Sequence, residues 1–334
     1  MMLKTFCVFV LTAVSALAEG WTNPLIEKRA DPCIVRHDDG FYYFTATAPE
    51  YDRIVMRRAK SIDGLTQAAE KVVWKRHDKG PMSWHIWAPE LHRLDGKWYM
   101  YFAAGEKEDV WKIRMWVLEN ESPNPLEGQW VEKGEIKTKW DSFSLDATTF
   151  AHGGKQFLMW AQHDPSVQGN TDLYIAEMEN PWTIRQPQVR ITRPEYTWET
   201  IGYSVNEGPA AIHRNGRIFV SYSASATDHN YCLGLLWAKE DADLLDAASW
   251  QKSPTPVFAS SPPNGQWGPG HNQFTVAEDG KTDLMVYHAR QYKEIKGEAL
   301  SNPDRHTRVQ ILKWRSDGFP DFGEPVKDGP MDIK

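Results

Sequence analysis

The stretch NEGPAAIHRNGRIFVSYSA, residues 206–224, decides the fold: a short apolar strand, a tight Asn215-Gly216 turn and an aromatic-rich return strand. Asn-Gly between apolar runs is the signal of a two-residue antiparallel hairpin. Four further stretches share the pattern: RADPCIVRHDDGFYYFTAT (29–47), WAPELHRLDGKWYMYFAAG (87–105), LDATTFAHGGKQFLMWAQH (145–163) and GHNQFTVAEDGKTDLMVYHA (270–289). Their turns fall at Asp39-Gly40, Asp95-Gly96, Gly153-Gly154 and Asp279-Gly280. The period is roughly 60 residues, long enough for one four-stranded propeller blade. Between the hairpins, the runs beginning at Arg53, Ile113, Leu173 and Leu233 supply a second pair of strands. The pattern predicts an all-β, five-bladed β-propeller in which the first strand of every copy lines one axis. Asp31, Asp146 and Glu207, each at the head of a hairpin, then converge on a single pocket.

The repeat favours one domain over two in a chain of 334 residues. Residues 19–334 read as a single catalytic propeller, with residues 19–30 placed to supply a strand that closes the ring. The 20 residues after Trp314 are expected to leave no room for an accessory domain. Residues 292–304 interrupt the last copy, either as a functional insertion or as a plain surface loop. Residues 1–18 differ from the rest: Lys4, a mostly apolar run over 6–14 and Ala16-Leu17-Ala18 read as a secretory signal peptide, with Glu19 the new N-terminus. The expected location is extracellular.

Removing that segment takes away Lys4 and no acidic residue, so the formal charge moves from -7 to about -8. No Lys/Arg cluster tracks a phosphate backbone, which excludes nucleic acid as a partner. No internal run approaches the roughly 20 apolar residues of a membrane helix. Gly-rich phosphate loops, a Rossmann fingerprint and a G-x-S-x-G elbow are all missing, so nucleotide cofactors and serine-hydrolase chemistry have no support. Cys33 and Cys232 lie in apolar strand segments of different copies and read as buried free thiols, with one bridge the alternative. Asn120-Glu121-Ser122 is a glycosylation sequon followed by Pro123.

Glycosidic hydrolysis uses two carboxyl groups, one donating a proton to the leaving oxygen and one activating water or attacking the sugar. An Asp before a strand is by itself most often a turn residue; the argument rests on three of them facing one axis. Brought together, they should push their pKa values apart and leave one protonated. Glu207, with the longer reach, is the expected acid. Sixteen Trp suit a sugar-binding surface, although most must serve as inter-blade core. Trp84 and Trp87 are the expected rim or subsite residues, with Trp267 similarly placed. His271 should face the channel as a substrate donor, a structural histidine or the contact of a hard cation held mostly through water. No paired His/Glu spacing for catalytic zinc is present.

The set Arg29-Ala30-Asp31-Pro32, Trp87-Ala88-Pro89-Glu90, Leu145-Asp146-Ala147, Asn206-Glu207-Gly208-Pro209 and Gly270-His271-Asn272 resembles glycoside hydrolase family 43. The resemblance runs from about Asn23 to Trp314. It implies a five-bladed propeller and an inverting mechanism with Asp31 as general base, Glu207 as general acid and Asp146 as the residue that tunes and orients the acid. It also implies substrate-facing roles for Leu145, Asn206, His271 and Arg305, with Arg308 competing for the last. No cofactor is required, while a structural Ca2+ or other ion near His271 is compatible with the pattern.

Within the family, the run 87–105 with HARQY and NPDRHTR is most similar to exo-acting α-1,5-L-arabinofuranosidases, which release arabinose from arabinan. The implied substrate is plant cell-wall arabinan or its oligosaccharides, and the expected state is a monomer. Endo-arabinanase and β-xylosidase remain alternatives on the same residues. A non-catalytic sugar-binding propeller and an interaction scaffold are the readings from other classes.

Overall fold

The computed structural model describes residues 20–333, so the expected signal peptide lies outside the described residues. Five antiparallel sheets succeed one another along the chain, and every hairpin read from the sequence forms the two inner strands of one sheet. Blade I comprises Ala30–Arg36, Tyr42–Thr47, Arg53–Ala59 and Lys71–Lys75. Blade II comprises Trp84–Leu94, Lys97–Gly105, Arg114–Asn120 and Val131–Glu135. In blade III, Ser144–His152, Lys155–Gln162 and Asp172–Asn180 are edged by two short strands, Thr183–Ile184 and Val189–Thr192. Blade IV comprises Asn206–Arg214, Arg217–Ala224, Cys232–Lys239 and Gln251–Lys252. The molecule is a five-bladed β-propeller.

The hairpin turns behave as their residues require. Asp95-Gly96, Gly153-Gly154 and Asn215-Gly216 all take positive φ at both positions, the geometry whose twist matches a two-residue hairpin.

Blade V departs from the expected four strands. Trp267–Val276, Asp283–Arg290 and His306–Ile311 make a three-stranded sheet. Its outer edge is covered by the N-terminal segment. Ile26 bridges Thr307, and the Asn23 carboxamide accepts from the Val309 N–H at 2.9 Å and donates to the Val309 carbonyl at 2.7 Å. Asn23 thus does with a side chain what a fourth strand does with its backbone. Gly20–Asn23 also pairs with Gly329–Asp332, so the first and last strands of the described residues fasten the ring at this blade.

Five apolar clusters hold the blades, each between neighbours. Tyr43, Leu91 and Trp98 join blades I and II; Tyr101, Leu158 and Trp160 join II and III; Met159, Val220 and Leu236 join III and IV. Phe219, Met285 and Tyr287 join IV and V, and Ile34, Phe44 and Val286 join V and I. Each fully buried side chain of this size contributes ~1.5–3 kcal/mol over exposure, which is why the aromatic-rich second strands recur. Cys33 and Cys232 are buried and free. Asn120 is also buried, accepting from the Ser122 N–H at 2.8 Å and donating to the Glu127 carbonyl at 2.7 Å. The sequon asparagine therefore organises its own loop and is not presented to solvent. No helix among the described residues is long and apolar enough to cross a membrane.

Candidate active site

The five innermost strands share one irregularity. Each ladder breaks after the pairs Ala30–Thr47, Trp87–Ala103, Leu145–Ala161, Glu207–Ser223 and Gly270–His288, and resumes three residues later on the inner strand but only two later on its partner. Two residues oppose one, which is a β-bulge. The first bulge residue is left-handed in every blade: Asp31 (φ 51°), Ala88 (46°), Asp146 (57°), Gly208 (54°) and His271 (43°). Pro32, Pro89 and Pro209 fill the second position in three blades, where no N–H is owed to the ladder. A left-handed non-glycine residue is held only where surroundings over-determine it, and such residues cluster at functional sites.

The surroundings that hold these bulges come from the neighbouring blade. Thr47 Oγ1 accepts from the Ala88 N–H at 2.7 Å, Ser223 Oγ from the His271 N–H at 2.7 Å, and His288 Nδ1 from the Asp31 N–H at 3.1 Å. In blade IV the Gly208 N–H is taken by Asp146 Oδ2 at 2.9 Å, because the equivalent second-strand residue, Ala161, has no acceptor. Glycine suits that position, since a Cβ would stand 3.1 Å from the His271 ring and crowd it. Asp31 and Asp146 are therefore equivalent positions, whereas Glu207 reaches the axis from one residue earlier.

The three carboxylates lie in one charge network. Asp31 Oδ1 is 3.4 Å from Arg305 Nη1 and 3.4 Å from His271 Nδ1, and Thr47 donates to Oδ2 at 2.6 Å. Burial raises the Asp31 pKa, but the charges of Arg305 and His271 outweigh it and hold the carboxyl well below its usual range. Burial pushes Asp146 up to about 7, opposed by His271 and reinforced by Glu207 and Asp31. Glu207 is raised as well, by burial and the Asp31 charge, against the Tyr231 hydroxyl that donates to Oε1 at 2.7 Å and against the positive His271 and Arg305. His271, although buried, is raised by Asp146 and Asp31. Burial brings His288 down to about 3, so its ring is neutral and its Nδ1 is free to accept. The set can hold one carboxylate ionised beside one that keeps its proton.

Asp31, Asp146, Glu207, His271, Trp87, Leu145 and Arg305 all line one cavity of about 580 Å³. Trp84 does not; the Arg76 guanidinium covers its ring at 5.0 Å. Asn206 is corrected too: fully buried, it donates to Glu199 Oε1 at 2.9 Å and accepts from Thr192 at 3.3 Å, so it braces the strand and never meets the cavity. Trp267 stands outside as well, with Lys293 over its ring at 6.0 Å. Arg308 turns away to Asp328, whereas Arg305 reaches Asp31.

Segment 292–304 forms one wall through Glu298, Ala299, Leu300 and Ser301. Arg290 pins it, donating to the Ala299 carbonyl at 2.8 Å and to Asn302 Oδ1 at 2.9 Å. His85, Trp111, Tyr203 and Tyr231 also line the cavity, without having been singled out from the sequence. Of these, His85 and Trp87 stack at 4.2 Å, and Trp111 and Tyr203 are more than half exposed at the rim.

At His271 the nitrogen turned toward the acids is Nδ1, which leaves that atom no room to ligate an ion directly. It faces the Asp31 and Asp146 oxygens at 3.4 and 3.9 Å, as a protonated ring would, and hard cations take oxygen ligands. The neighbouring carboxylates favour the protonated, positively charged imidazole.

The family model of Glycosyl hydrolases family 43 matches residues 21–320. The extracellular exo-α-(1→5)-L-arabinofuranosidase of Streptomyces avermitilis is 57% identical over 323 residues, which cover 97% of this chain and 67% of that protein. The protein of the same name from Streptomyces chartreusis is 59% identical over 86% of this chain and 90% of its own. The crystal structure of an α-L-arabinofuranosidase from Lactobacillus brevis superposes with a TM-score of 0.90 at 53% identity, covering 92% of this chain and 98% of that one.

Proposed function

The chain belongs to glycosyl hydrolases family 43, and from that premise we propose that it is an exo-acting α-(1→5)-L-arabinofuranosidase releasing L-arabinose from the ends of arabinan and arabino-oligosaccharides. The family inverts configuration and needs no cofactor. The observation that carries the exo reading is the wall at 298–301, pinned by Arg290 and closing a pocket of about 580 Å³ around the carboxylates. An endo-acting site needs an open cleft through which a chain can run past the acids.

In this reading Asp31 is the general base. Arg305 and His271, both beside Oδ1, keep it ionised, and the Thr47 hydroxyl fixes Oδ2, so that the oriented carboxylate takes the proton of the attacking water. Glu207 is the general acid, its raised pKa keeping the proton it gives to the leaving oxygen. Asp146 receives the Gly208 N–H and so fixes the backbone beside the acid, and its charge couples to Glu207. Trp87 and Leu145 offer apolar faces to the terminal sugar, while Trp111 and Tyr203 give the next unit a platform at the rim. No step is routed through a metal at His271. The enzyme acts outside the cell, as a monomer comprising residues 19–334 after removal of 1–18.

Chromatography of early products from linear α-1,5-arabinan, with an aryl β-xyloside run beside it, tests the assignment. Arabinose as the only early product is expected. A ladder of oligosaccharides makes the enzyme endo-acting, cleavage of the xyloside alone overturns the sugar assignment, and binding without product overturns the enzyme.

A further inference from the structure

We propose that His152, His213 and Glu240 form a binding site for a divalent transition metal of the zinc class, which ties blade III to blade IV at the channel mouth away from the carboxylates. His152 ends the innermost strand of blade III, His213 is the penultimate residue of the innermost strand of blade IV, and Glu240 follows the third strand of that blade. Each histidine stands six positions beyond a carboxylate of the active site on the same strand, Asp146 and Glu207 respectively. At about 3.3 Å per residue that separates the two sites by roughly 20 Å.

The ligand geometry is nearly assembled. The two imidazoles stack with centroids 5.5 Å apart and planes 26° from parallel. Glu240 Oε1 lies 3.3 Å from His213 Nδ1 and 3.9 Å from His152 Nδ1, and the three ligating atoms are all within 4.8 Å of one another. Tetrahedral zinc with bonds of about 2.0–2.2 Å to nitrogen and oxygen sets ligand edges of roughly 3.3–3.5 Å. One edge already has that length, and side-chain adjustment closes the others. Among the described residues no other group of three His, Cys, Asp or Glu side chains meets this condition.

A second observation points to a ligand. His152 Nδ1 is buried and has no hydrogen-bond partner, and Glu240 at 3.9 Å is too far to be one. Buried polar atoms are rarely left so. A His213–Glu240 hydrogen bond alone would explain two of the three side chains and leave His152 unexplained; a shared metal engages all three. Two imidazoles and a carboxylate suit zinc, copper or nickel and not calcium or magnesium, which demand oxygen. Glu240 is exposed, leaving a fourth position for water. Binding through Nδ1 puts the His213 proton on Nε2, which is also without a partner, so the affinity is expected to be modest.

Calorimetric titration of chelator-treated, full-length protein with Zn2+, and separately with Ca2+, tests the site. The proteins compared are wild type, the double variant His152→Gln/His213→Gln, and Asp146→Asn, which reports on metal held by the active-site acids. One zinc bound by wild type and by Asp146→Asn, weakened tenfold or more in the double variant, and no calcium at that site are expected. The double variant should keep wild-type arabinofuranosidase activity. Should it fail to fold, Glu240→Gln, at an exposed position, serves in its place. Unchanged zinc binding in the variants, zinc lost only in Asp146→Asn, or no zinc bound by wild type overturns the proposal.

Discussion

Each innermost strand has two halves that obey different rules. In the first half, at Asp31, Ala88, Asp146, Gly208 and His271, the ladder is broken, the backbone is left-handed and charges are packed together. Three residues further on the ladder is regular, and in blades I and II the side chains there, Ile34 and Leu91, are apolar and buried between blades. The bulges can be held in place because the regular halves fix the strands beneath them. Stability and chemistry are thereby separated by about 10 Å along one strand.

Substitutions on the two sides of that division should therefore have opposite signatures. Ile34→Ala, in the regular half, is expected to lower stability by about 2–5 kcal/mol through the cavity it leaves. Its kcat and pH profile should match wild type, as urea unfolding and steady-state assays would show. Gly208→Ala lies in the bulged half. The added Cβ would stand 3.1 Å from the His271 ring at φ 54° and displace a residue that touches two of the acids. A loss of about 10²-fold in kcat/KM is expected, with destabilisation of only about 1 kcal/mol. A variant that lost stability and activity in parallel would break the distinction.

Tyr231→Phe should have the smallest effect and the most diagnostic sign. The hydroxyl donates to the Glu207 carboxylate at 2.7 Å and so favours its ionised form. Without that bond the acid holds its proton to higher pH, and the alkaline limb of kcat/KM moves up. The rate should fall only several-fold, about the worth of one hydrogen bond at ~1 kcal/mol. An alkaline limb displaced downward would contradict the role given to Glu207.

The division also decides what was legible in the sequence. The regular halves and their turns announce themselves, because alternating apolar strands and Asn-Gly, Asp-Gly or Gly-Gly pairs follow from local geometry alone. The three acids could be placed on one axis for the same reason. The one-residue offset of Glu207 could not, since it depends on the bulge register and on Gly208 yielding to His271. Asn206 was misjudged because adjacency to the acid in sequence puts it on the opposite side of a strand. Trp84 was misjudged because Arg76 already occupies its face. His288 did carry a signal: Thr47 and Ser223 stand seven residues after their turn glycines, and His288 stands eight after Gly280 because that hairpin is longer. The wall at 298–301 was visible only as an interruption of the last copy, since its position over the cavity depends on Arg290 reaching across to it.

The central claim is that Glu207 gives a proton to the leaving oxygen while Asp31 handles the water. The most direct measurement is kcat/KM of Glu207→Gln relative to wild type on arabinobiose and on an aryl arabinofuranoside with a strongly acidic phenol. The account predicts a loss of about 10²–10⁴ on the disaccharide, where protonation is essential, and near-wild-type rates on the activated aryl glycoside, where it is not. Equal losses on both substrates would contradict it.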